Sequence, residues 1–161
     1  MSLDHESLLR LTFEIAHRAK AHGHMPFGAL LAGPGDEILL EEENGYFPHL
    51  DATAHAERLL ATRASKLYRE PFLAQCTLYS SAEPCAMCAG AIDWVGIGRV
   101  VYGLSEHRLK AMTGDHHPDN PAMDLPCRDV FSAGQKSIEV IGPLIETEAE
   151  AVHRDAWQPT V

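Results

Sequence analysis

Pro84-Cys85-Ala86-Met87-Cys88, read together with His55-Ala56-Glu57, decides what kind of protein this chain is. The local pattern predicts a helix over Ala54 to Lys66, and another with Pro84 at its first position running to about Val95. Cys85 and Cys88 are three residues apart, so they share one helix face and can grip one metal ion. A helix N-terminus favours the thiolate, which is the form that binds metal. With His55 as a third ligand, the donor set is two thiolates and an imidazole, which points to zinc. Three protein ligands leave the fourth tetrahedral position open, as in catalytic rather than structural sites. Glu57 sits two residues from His55, a poor position for a fourth ligand and a good one for moving protons. A Cys-x-x-Cys pair also serves as a redox couple or as half of a structural zinc site. The remaining cysteines, Cys76 and Cys127, stand alone without the spacing of a second half-site and read as buried small apolar residues.

Outward from these segments, the chain alternates helix and strand. Asp4 to Ala21 reads as a helix with Asp4 as N-cap and Leu8, Leu11, Ile15 and Ala19 on one face. Phe27 to Ala32 and Glu37 to Glu43 read as paired strands across a Gly33-Pro34-Gly35-Asp36 turn. Cys76 to Ser81, Arg99 to Leu104 and Ser137 to Ile141 are further strands. A short helix covers Cys127 to Phe131, and a last helix runs from Thr147 to Trp157. Met112 to Pro126 is a long irregular loop with three prolines, the kind of segment that is either functional or disordered. The order predicts an α/β sheet covered on both faces, in one domain over residues 1–161.

Composition agrees. The chain has 161 residues, is 45% hydrophobic and 22% charged, and carries a formal net charge of −10. That length buries a real core without disulfides or structural metals. The acidic balance and the absence of any long Lys/Arg run disfavour nucleic acid and anionic membranes as partners. No apolar run approaches a membrane span, and the start, Met-Ser-Leu-Asp-His-Glu, lacks the features of a signal peptide. The expectation is a cytoplasmic, reducing setting in which the four cysteines are thiols.

His-x-Glu followed by Pro-Cys-x-x-Cys is the signature of zinc deaminases, and the chain resembles the cytidine deaminase superfamily. The resemblance runs from Phe27-Gly28-Ala29 through Asn44, Ala54-His55-Ala56-Glu57 and Glu83-Pro84-Cys85 to Arg99-Val100-Val101-Tyr102-Gly103. It looks most like the branch that holds small bacterial guanine deaminases and tRNA adenosine deaminases. The resemblance implies a three-layer α/β/α fold with a five-stranded mixed sheet, a zinc cofactor and a homodimer. It implies His55, Cys85 and Cys88 as metal ligands and Glu57 as proton shuttle. It assigns substrate contacts to Asn44, to Phe27 as a floor for the base, to Ala54 beside His55, to Trp94 and to Asp115. Guanine deaminases of this kind carry a Trp after the Gly-Ala-Ile stretch where tRNA adenosine deaminases have a His, which favours guanine. The loop around Asp115 is where the guanine enzymes place an acidic base-reading residue.

Each of these residues has a plainer reading. Asn44 beside Gly45 suits a turn, Phe27 a strand core and Trp94 a helix core. His22, His24, His116 and His117 are expected in solvent, and Glu41-Glu42-Glu43 as a solvated strand end. Glu83 is placed to orient the zinc loop. Two departures from the family pattern stand out: Asp51-Ala52-Thr53 replaces Asp-Pro-Thr, and 124–131 departs from the pattern of the guanine enzymes. Guanine to xanthine is therefore the first expectation. The alternatives are tRNA wobble adenosine, another small aminated ring (cytosine, guanosine, a triazine), and a zinc-stabilised binding module without turnover.

Overall fold

The computed structural model describes residues 4–157. Its first helix, α1 (His5–Ala21), is opened by Asp4, whose carboxylate accepts the Ser7 N–H at 3.1 Å. That bond satisfies one of the amides a helix start leaves unpaired. Strands β1 (Gly28–Ala32) and β2 (Ile38–Glu43) pair antiparallel. Helix α2 (Ala56–Leu67) and the single turn α3 (Glu70–Leu73) lead to β3 (Thr77–Ala82). Helix α4 (Ala86–Val95) and β4 (Arg99–Leu104) follow. Then come α5 (Glu106–Thr113), α6 (Cys127–Ser132), β5 (Glu139–Ile141) and α7 (Glu146–Ala151).

The strands form one mixed sheet in the order β2-β1-β3-β4-β5. β1 runs antiparallel to both neighbours, whereas β3, β4 and β5 are parallel. Side chains alternate between the two faces of a strand, and this divides the core in two. Ala29, Leu31, Leu78, Val100 and Tyr102 meet α2, α4 and α6 on one face. Leu30, Ala32, Tyr79 and Val101 meet α1, α5 and α7 on the other, where Leu104 joins them at the end of its strand. The architecture is the expected three layers. Gly28 allows α1 to lie close on β1, since a Cβ there would come within 2.6 Å of the Thr12 carbonyl.

Four local expectations change. Pro84 lies one residue outside α4, because Cys85 takes the N-cap position with an extended backbone. The residues after β4 form a helix, α5, capped by Ser105, whose hydroxyl accepts the Arg108 N–H at 3.2 Å. Pro71 opens the short α3, which carries too few residues to show a hydrophobic period. The last helix stops at Ala151, where the chain turns to bury Val152 and His153.

Candidate active site

Helices α2 and α4 pack side by side, and their N-termini bring His55 and Cys85 together. His55 is the N-cap of α2 and Cys85 the N-cap of α4. Cys88, one turn into α4, is fully buried. The His55 Nδ1 lies 3.5 Å from Cys85 Sγ and 3.6 Å from Cys88 Sγ. For a tetrahedral zinc with usual Zn–S and Zn–N bonds, the nitrogen–sulfur separation is about 3.6 Å. The donor atoms therefore already stand at ligand spacing, and their chemistry is that of a zinc site. It is the one such group of His, Cys, Asp and Glu among the described residues.

The electrostatics follow from burial and proximity. Hydrogen bonding with Cys88 holds the Cys85 thiol down at about 4, while the same contact and burial push Cys88 up. Hydrogen bonding with Cys85 raises His55. Glu57 is 5% exposed, and burial pushes its carboxyl up to about 7.

These groups face a cavity of about 350 Å³, within the range of small-molecule sites. His55, Cys85, Glu57, Asn44 and Phe27 all line it. Asn44 is 3% exposed, and it both lines the cavity and shapes a turn. Its side-chain oxygen accepts the Tyr46 N–H at 3.0 Å, which shapes a turn. That commitment orients the amide NH2 as the group left to donate. Phe27 contributes to the wall and is backed edge-on by His153 and Trp157, with ring centroids 5.2 and 6.0 Å away.

Three expected contacts lie outside the cavity in this chain. Ala54 is buried and acts through its backbone, its carbonyl accepting the Gly45 N–H at 2.8 Å. Trp94 is 84% exposed. Six residues beyond Cys88 corresponds to about 240° around a helix, so its side chain leaves on another face. Asp115 follows the end of α5 and reaches back into solvent, 3.5 Å from Lys110. The neighbouring part of its loop does contribute, because Pro118 to Met123 close one side of the cavity.

Glu83 braces the site. One carboxylate oxygen accepts the Glu106 N–H at 3.0 Å and the other the Cys127 N–H at 2.9 Å. This fixes the starts of α5 and α6 against the end of β3. His117, expected in solvent, is 3% exposed and packs edge-on against Trp157. Sequence reading missed Glu106, which is 9% exposed and lines the cavity. A signal existed: it follows the carboxyl end of a parallel strand, where α/β folds place ligand contacts.

Comparison with known proteins agrees with this geometry. A family model described as the cytidine and deoxycytidylate deaminase zinc-binding region matches residues 2–104. A probable cytosine deaminase from Schizosaccharomyces pombe is 38% identical over 92% of this chain and 90% of its own length. A tRNA-specific adenosine deaminase from Haemophilus influenzae is 37% identical, over 70% of this chain and 65% of its own. A guanine deaminase from Bacillus subtilis is 36% identical, over 70% of this chain and 71% of its own. A solved guanine deaminase from Nitrosomonas europaea superposes with a TM-score of 0.76 over 97% of this chain and 85% of that one. At 23% identity, that likeness is one of fold.

Proposed function

The chain belongs to the cytidine and deoxycytidylate deaminase family, and on that premise we propose that it hydrolytically deaminates a free nucleobase, guanine first, to give xanthine and ammonia. The observation that carries the reading is the His55, Cys85 and Cys88 donor set at zinc-ligand spacing, with His55 and Cys85 on the wall of a cavity that also holds the buried Glu57. A zinc ion bound there supplies Lewis acidity and makes water acidic enough to act as a nucleophile near neutral pH.

The protein's own groups handle substrate and protons. Glu57 takes a proton from the attacking water and passes it to the ring nitrogen beside the aminated carbon, then carries the second proton from the hydroxyl formed on that carbon to the departing amine. The carbon–nitrogen bond to the amino group breaks as the carbonyl forms, so ring and water become oxo-ring and ammonia. Raised toward 7 by burial, Glu57 can both accept and return a proton near neutral pH. The Asn44 NH2 donates to an acceptor on the ring, and Phe27 offers an apolar wall for it.

Cytosine is the second reading, favoured by the fission yeast relative, whose match spans nearly the whole chain. The net charge of −10 weighs against a tRNA substrate, whose phosphates require neutralising cations. A homodimer belongs to the same reading, with the exposed Trp94 on α4 as part of its contact. So does a reducing cytoplasm, which keeps Cys85 and Cys88 as the free thiols seen here. The test is ammonia release by the zinc-loaded chain from guanine, guanosine, adenine, cytosine, cytidine and a tRNA anticodon stem-loop. Guanine is expected to give the highest kcat/KM. Release from cytosine or from the stem-loop in its place overturns the guanine assignment.

A further inference from the structure

The geometry points to Glu106 as the residue that selects the substrate, its carboxylate accepting a ring N–H that flanks the aminated carbon. This rests on the purine reading above. Glu106 opens α5 at the carboxyl end of β4, is 9% exposed, and lines the same cavity as His55, Cys85 and Glu57. Its backbone is fixed, since its N–H donates to Glu83 at 3.0 Å and Ser105 caps the helix it begins. Its carboxylate has no hydrogen bond or ion pair among the described residues. A buried carboxylate without a donor is unfavourable, and the charged groups that act on this one are Cys85, Glu83 and Glu57, opposed by His55. The donors on the cavity wall, among them Asn44, Tyr46, His55 and Asn120, make no hydrogen bond to this carboxylate among the described residues. A ligand N–H seated in the cavity supplies that donor.

Ring chemistry then discriminates. Guanine carries an N–H at ring position 1, directly beside the carbon that bears its amino group. 2-Aminopurine carries the same amino group but has a bare lone pair at position 1, which a carboxylate repels. A site that rejects a ligand lacking the required donor does so strongly, because its own buried polar group is left unpaired.

The test uses the zinc-loaded full chain and the isosteric Glu106→Gln variant, whose amide can donate as well as accept. The backbone contact to Glu83 does not depend on the side chain, so zinc content and thermal midpoint are checked and expected to match wild type. In the variant, KM for guanine is expected to rise tenfold or more with kcat within about threefold. The preference for guanine over 2-aminopurine, as a ratio of kcat/KM, is expected to collapse by at least tenfold. A purely structural role would not move that ratio. Unchanged KM and an unchanged ratio overturn the assignment of Glu106 and leave the purine reading standing. A wild-type enzyme that deaminates other rings but not guanine overturns both. A variant that loses zinc or unfolds, while Glu106→Asp keeps the ratio at the wild-type value, assigns Glu106 to the framework and overturns the proposal.

Discussion

Glu83 and Cys127 are 44 residues apart in sequence, yet a carboxylate oxygen of the first accepts the backbone N–H of the second at 2.9 Å. With its other oxygen on the Glu106 N–H, Glu83 joins the end of β3 to the starts of two later helices beside the metal ligands. Glu83→Ala leaves two buried amides unpaired. It is expected to cost about 3 kcal/mol of stability, read as a lower urea midpoint at unchanged m-value. Zinc should also bind more weakly, measured by competition with a chromogenic chelator. Glu83→Gln keeps one acceptor and should cost less than half as much.

Glu57→Ala should keep one zinc per chain, because the three proposed ligand atoms, His55 Nδ1 and the two sulfurs, do not include its carboxylate. Loss of the proton shuttle should lower kcat by about 10³-fold or more. Metal analysis with an ammonia assay checks both halves. Comparable activity in the mutant would show that another group carries the protons.

Cys88 is the fully buried member of the proposed ligand set, and its substitution tests the metal itself. Cys88→Ser is expected to bind zinc at least a hundredfold more weakly and to lose turnover. For the wild type, dialysis against a strong chelator should abolish activity and lower the thermal midpoint. Zinc should restore both, and magnesium neither, since soft thiolate donors select against a hard oxygen-seeking cation. Recovery with magnesium would argue against the ligand set.

His153 sets an acid limit on stability. It is 2% exposed, and burial pulls its pKa down to about 4. Its Nδ1 accepts the Trp157 indole N–H at 3.2 Å, which fixes the neutral form. In the unfolded chain a histidine titrates near 6.5. Between these values the unfolded state binds more protons, so stability is present above pH 6.5 and falls as pH drops toward 4. The loss from this one residue is on the order of 3 kcal/mol. Urea melts across pH 4 to 7 should show that slope in wild type and a flatter one in His153→Gln.

Trp94 projects from α4 with 84% of its surface exposed. Trp94→Glu should leave the folding free energy within about 0.5 kcal/mol and, if the chain pairs through this face, convert a dimer into a monomer in analytical ultracentrifugation. A wild-type chain that sediments as a monomer at tens of micromolar removes the homodimer from the reading.

Much of the molecule was legible in the sequence because it depends on local patterns. The cap at Asp4, the short apolar run of β1 and the Cys85–Cys88 spacing are short-range features that local sequence encodes. The three proposed metal ligands were named from spacing, and the fold carries the His55 nitrogen to within 3.6 Å of both sulfurs across the two helix starts. What was missed has weak local signals. Helix α5 hides behind a mixed run of charged residues, and its buried face is defined by Leu109 meeting the α1 side of the sheet. The placement of Trp94 also eluded the sequence. Its chemistry suited a base pocket, while its angle around α4 carries it elsewhere.

Sequence alone determined the layered α/β order and named the proposed donor set and the carboxylate proposed to handle protons, because each is encoded by residue type at a fixed short spacing. Tertiary structure alone decided which other side chains share the cavity. That depends on contacts between segments far apart in the chain: Asn44 with Phe27, Glu83 with Cys127, Glu106 with the wall around Cys85, and His153 with Trp157 behind it. Such pairings are set by how the faces of the sheet are covered, a property of the whole packed core that no short stretch contains.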